Sequence, residues 1–294
     1  MEIINRFTSK NFYPTTNWLL RRMVYLFLIF YFGRLIPYAS DFFAEDTYIN
    51  KFFFDGNISK WVVQSFNFQG VRSMYPMFLI MEFVLLILGI IGFYPKLVAL
   101  GIYGCTLILQ QSMVSITNGG EQLLYNCLFF MVFLEEKDSK DSFWKTISNF
   151  ALFAIRLEVA FLYLVAGFTK LTGDLWPSGD AFYYVSQIGE YSSPWLMEFI
   201  KNNLWVGVVL TYLTIFYQTT FPFAIWFKKL KYKWMVVGVV FHISIGFLNG
   251  IMDFGLIMLT MYFAFYNENR SKKVYEFFSE IKSAGKRIIN AKGD

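Results

Sequence analysis

The chain has 294 residues, of which 56% are apolar, 21% aromatic and only 16% charged. A soluble domain carries about 25% charged residues, so the composition argues against an ordinary soluble enzyme and predicts an all-α, polytopic membrane helical bundle. The net charge of +5 is spread over loops and termini rather than gathered into a patch, which argues against a nucleic-acid partner and for the lipid bilayer.

Apolar runs long enough to cross a bilayer, about 20 residues each, are predicted in order along the chain. After a polar N-terminus (1–17), the first span runs from about Trp18 to Tyr38, with Arg21 and Arg22 near the interface and Arg34 near its far end. No cleavable signal peptide is expected ahead of a full-length span. Residues 39–73 form a polar, aromatic-rich connection whose SKWVVQSFNF segment is expected to lie flat on the membrane. The second span (74–93) carries Glu82 near its middle. The third (97–116) carries Gln110 and Gln111, and the TNGGE loop turns the chain back. The fourth (122–134) is short, so it is either tilted or packed inside the bundle. After the polar loop 135–145 comes the fifth span (150–171), then a second long connection (172–203). The sixth (204–227), seventh (234–248) and eighth (254–266) follow, and a basic tail (267–294) with helical apolar spacing closes the chain.

Eight spans put both termini on one side. With that threading, 19 of the 26 lysines and arginines fall on the side of the termini and 5 on the other. The asymmetry predicts cytoplasmic termini in a bacterial inner membrane. Arg34, Gln110, Gln111, Glu121 and Lys170 then lie in the outer half, with Glu82 and His242 near the middle. A polar cavity open to the outer face is the expected site.

The stretch from Arg156 to Gly179 is read as the organising one. At about 100° per residue, Arg156, Ala160, Tyr163, Gly167 and Lys170 share a helical stripe. Charged groups facing lipid are costly, so this stripe faces protein or a cavity. Each residue has a plain reading beside the functional one. Lys170 either snorkels to the interface or stands in an apolar pocket as a base. His242 is either a hydrogen-bonded core histidine or a member of the site. Glu121 either stabilises a helix N-terminus or acts chemically. Arg156 is expected to tie helices together, with Glu82 as its partner. Tyr163, Gly167, Trp176 and Gln111 are candidates to line the pocket. No nucleotide-binding loop, HExxH or dinucleotide fingerprint occurs. One histidine and two cysteines, Cys105 and Cys127 inside apolar runs, make no metal site.

Three segments resemble the HTTM family, the membrane domain shared with vitamin K-dependent gamma-glutamyl carboxylases. They are YLVAGFTKLTGDLWPSGDAF (163–182), TNGGEQLLYNCLFF (117–130) and FHISIGFLNGIMDFGLIMLTMYFAFY (241–266). The resemblance covers roughly residues 18–266. It implies Lys170 as the base that deprotonates a reduced quinone (menaquinol in a bacterium); in the maturation reading given below, Lys170 acts with His242 and Glu121 nearby. Gly119, Gly120 and Glu121 stand where the carboxylases have a loop histidine, and their large extracytoplasmic domain is not expected here. The chain's size is similar to a smaller branch, the SdpB-type proteins. That branch implies maturation of a secreted antimicrobial peptide together with a soluble partner. Three functions stay open: such a maturation factor, a quinol-dependent carboxylase or oxygenase, and a non-catalytic binding or immunity protein.

Overall fold

A computed structural model describes residues 10–44, 73–111, 113, 117–138 and 140–290. Every regular element among them is helical. The helices are α1 (Pro14–Leu35), α2 (Ala39–Phe43), α3 (Tyr75–Ile91), α4 (Pro95–Gln111), α5 (Gly119–Met131) and α6 (Ser142–Thr172). Then come α7 (Ala181–Ser186), α8 (Pro194–Asn202), α9 (Leu204–Ala224), α10 (Lys231–Leu248), α11 (Met252–Met261) and α12 (Glu268–Asn290). Three of these, α6, α9 and α10, are long and apolar enough to cross a membrane, and α3, α4 and α11 with its 3-10 extension to Phe265 are shorter apolar helices. The chain is a membrane protein. The SKWVVQSFNF segment lies outside the described residues.

Helix α1 has more buried residues than any other described helix. Leu20, Val24, Tyr25, Leu28 and Phe32 are all buried, because α3, α11, α12 and the 3-10 turn after α11 pack around α1. Helix α6 instead sits against α5 and α9 and keeps one face outward. Its start also differs from the expected Phe150. Asp141 accepts a hydrogen bond from Phe143 N and caps the helix at Ser142.

Buried charge sits at one end of the bundle. The Arg21 guanidinium donates to the Met131 carbonyl at 2.5 Å, closing the open C-terminus of α5, and to Glu136 at 2.9 Å. Arg22 pairs with the same Glu136 oxygen, and Lys96 with Glu135 at 2.5 Å. At the opposite end Arg34 pairs with Asp253. The expected Arg156–Glu82 tie is not formed. Arg156 Nε donates to the Ala264 carbonyl at 2.7 Å and its guanidinium lies over the Tyr13 ring, while Glu82 accepts from Thr106 at 3.0 Å. The reason is helix order: α6 neighbours α5, α9 and the turn after α11, not α3. Helix α5, only 13 residues long, is the inward-packed alternative for the short fourth span: Leu123, Leu124, Cys127, Leu128 and Met131 are buried.

The α6–α9 contact positions the site. A methyl placed on Gly167 would meet Thr219 Cγ2 at 2.9 Å and the backbone of Gln218 and Thr219 at 3.1 Å. Backbone cannot swing aside, so Gly167→Ala is expected to force the helices apart and cost about 1–3 kcal/mol. A methyl at Gly104 meets nothing within 4 Å, so Gly104→Ala should be near neutral. Thermal unfolding of the two variants in detergent checks the contrast; equal midpoints would disprove the tight contact.

Candidate functional site

Helix α6 runs on to Thr172, and Lys170 falls in its last turn. The chain then folds back through Asp174–Gly179, where Gly179 takes φ +91°, a left-handed conformation that favours glycine. The fold-back brings the Trp176 ring beneath the Lys170 ammonium, 4.8 Å from Nζ to the ring centroid. Nζ also makes a long 3.4 Å contact to the Ala166 carbonyl. Lysine and tryptophan form part of the wall of a cavity of about 490 Å³. The wall also includes residues of α6 (Leu162), α7 (Phe182), α9 (Leu210, Gln218), α10 (Phe241, Ile245) and α11 (Phe254), with Asn118 and Asn249 at the loops. It is an apolar slot with one cation.

The predicted residues divide into two groups. Lys170 and Trp176 share the cavity wall. His242, Tyr163, Gly167 and Glu121 do not line it. Gly167 is the helix contact described above. The Gln111 side chain lies outside the described residues. Glu121 belongs to a capping box: Asn118 Oδ1 accepts from Gly120 N at 2.8 Å, and Glu121 Oε2 accepts from Asn118 N at 2.6 Å. Tyr31 donates to its other oxygen at 3.3 Å. Glu121 thus holds the loop that carries the wall residues Asn118 and Gly119, and it is itself turned into the protein.

His242 belongs to a buried hydrogen-bond chain behind the cavity. Its Nε2 is 2.5 Å from the Tyr163 hydroxyl, which is 2.6 Å from that of Tyr262, which is 2.7 Å from that of Tyr217. Three phenols and one imidazole can all point their protons one way or all the other, since a hydroxyl both donates and accepts. Among the described residues, His242 Nδ1 has no partner. The chain closes around Gly238, whose missing side chain leaves room for the Tyr217 and Tyr262 hydroxyls.

Gln218, Tyr217 and Tyr262 are additions to the residues expected from the sequence. Gln218 lines the cavity, and a lone amide within the apolar run YLTIFYQTTF was the available signal. The two tyrosines carry no such signal, because tyrosine is also the ordinary residue of membrane interfaces.

No protein-family model matches the chain, and no solved structure matches it. The HTTM resemblance therefore stands on its three sequence segments. Among curated proteins, the sporulation-delaying protein SdpB of Bacillus subtilis is 28% identical over 214 residues, 67% of this chain. The YitO protein of the same organism is 25% identical over 190 residues, 59% of this chain. The matches span 63% of SdpB and 61% of YitO, so each relative extends well beyond the shared part. Within that part, the chain is a membrane protein similar to SdpB.

Proposed function

We propose that this protein is an SdpB-like maturation factor for a secreted peptide, working with a soluble partner at the bacterial cytoplasmic membrane. The observation that carries this reading is the similarity to SdpB over 214 residues in a chain with an apolar cavity that has a lysine in its wall. In this reading α1, α3, α4, α5, α6, α9, α10 and α11 are the eight spans and both termini are cytoplasmic. The charge distribution supports that orientation: the Arg21, Arg22 and Lys96 cluster lies at the end of the bundle shared with the basic tail. Lys170 is then at the outer end, where a peptide delivered across the membrane arrives. The α7–α8 region, with exposed Trp195 and Phe199, offers it an aromatic surface.

The test is the mass of the secreted peptide in cells that express this protein with its neighbouring genes. Lys170→Ala at matched membrane levels is expected to cut the mature product tenfold or more. The same product in the same amount from both cells would remove Lys170 from the function and leave it as a helix-end lysine.

A further inference from the structure

The polar groups around the cavity fall into two sets. Asn118 Oδ1 accepts from Gly120 N, and Asn249 Nδ2 donates to the Tyr191 carbonyl at 3.0 Å. The hydroxyls of Thr214 and Ser244 donate to carbonyls four residues back in their own helices. These groups are committed to the protein's own backbone. Gln218 is not, and Lys170 makes only a long 3.4 Å contact to the Ala166 carbonyl. Among the described residues no carboxylate pairs with Lys170, whose cation rests on an indole face. Gln218 is only 7% exposed, and among the described residues its Oε1 has no hydrogen-bond partner. A buried amide oxygen without a partner is retained at a cost, and natural folds keep few of them.

The two groups are spaced for one ligand. Gly167 touches the Gln218–Thr219 backbone and lies one helical turn below Lys170 on α6. The Gln218 backbone therefore sits about one turn, roughly 5 Å, from that of Lys170 along α6. An extended chain covers that rise in one to two residues, at about 3.3–3.6 Å each. The volume of about 490 Å³ lies within the roughly 300–1,000 Å³ of sites that enclose small ligands.

We infer that the cavity binds the C-terminal end of an apolar peptide. Its carboxylate meets Lys170, an apolar side chain fills the space between Leu162, Leu210, Ile245 and Phe254, and a peptide group meets the Gln218 amide. A cation without a counter-ion selects an anion. A peptide group both donates and accepts, so it satisfies a side-chain amide in either of its two orientations. A fatty acid supplies the same carboxylate and apolar body, but nothing for the amide. The inference rests on the maturation reading and names what that site holds.

The experiment titrates the purified full chain, in lipid nanodiscs, by calorimetry with three probes. They are an N-acetylated tetrapeptide of leucine and alanine as the free acid, the same peptide as its C-terminal amide, and decanoic acid. The free acid is expected to bind at least tenfold more tightly than the amide. Lys170→Met should abolish that difference, and Gln218→Leu should weaken the free-acid peptide about fivefold while leaving decanoic acid unchanged. Equal binding of acid and amide, binding of neither, or tighter binding of decanoic acid than of the peptide would overturn the assignment. The acid–amide comparison uses the unaltered protein, so a variant that misfolds cannot decide it. If acid and amide bind alike while the secreted product still depends on Lys170, the carboxylate assignment falls and the maturation role stands. If the product does not depend on this protein, the role itself falls.

Discussion

Replacing Glu136 by glutamine is expected to lower the unfolding free energy by about 3–5 kcal/mol, the usual cost of removing one partner from a buried ion pair. One Glu136 oxygen serves both Arg21 and Arg22. The Arg21 side chain is 1% exposed and that of Glu136 9%. Neutralising the carboxylate leaves two guanidinium groups side by side with no counter-charge. Arg21 keeps its bond to the Met131 carbonyl, so α5 retains its cap and the damage falls on electrostatics. Asp138→Asn is the matched control. Its partner Lys145 is 3.9 Å away and the Asp138 side chain is 62% exposed, so its loss should change stability by no more than about 0.5 kcal/mol. Chemical unfolding in detergent micelles reads both. A Glu136→Gln effect as small as that of the control would mean that solvent reaches the cluster freely.

Gly238→Ala is expected to cost about 3 kcal/mol, combining overpacking with loss of hydrogen bonds in a buried chain. Its methyl would lie on the Tyr217 and Tyr262 hydroxyls, and both rings are held among Phe221, Phe241 and Tyr163. One phenol has to turn away, and the path from Tyr217 to His242 then breaks. Removing one of the two obstructing hydroxyls should relieve part of the clash. Tyr262→Phe in the Gly238→Ala background is therefore expected to recover about 1 kcal/mol, although Tyr262→Phe alone destabilises by leaving Tyr163 and Tyr217 without their shared partner. A double-mutant cycle by thermal unfolding measures the coupling. Simple additivity would show that the methyl is accommodated elsewhere.

Much of the helical plan was readable because hydrophobic runs of span length leave little choice, as α6, α9 and α10 show. Their ends were less so. The start of α6 depended on Asp141 acting as a cap, a signal present in the sequence but outweighed by the polar look of the loop around it. Lys170 and Trp176 were readable as neighbours in sequence joined by a turn-forming Gly-Asp-Leu-Trp-Pro stretch. The partner of Arg156 was not. It is a main-chain carbonyl, at Ala264, freed where α11 tightens into a 3-10 turn, and carbonyls leave no mark in a sequence. Gln218 was hidden for a related reason. A single amide in an apolar helix takes its meaning from what faces it, and Gly167 on another helix decides that.

Helix α6 also acts as a ruler. Phe150, Phe153, Leu157, Phe161, Val165, Phe168 and Leu171 make one continuous exposed apolar face. From Phe150 to Leu171 the helix rises about 32 Å, and the hydrocarbon core of a bilayer is about 30 Å thick. The two lengths match, so in the proposed orientation Lys170 stands where acyl chains give way to headgroups. If the cavity takes a peptide as proposed, one adsorbed on that leaflet would be level with the lysine, would find the cavity by diffusing in two dimensions, and its occupancy would follow its partitioning into lipid rather than its concentration in water.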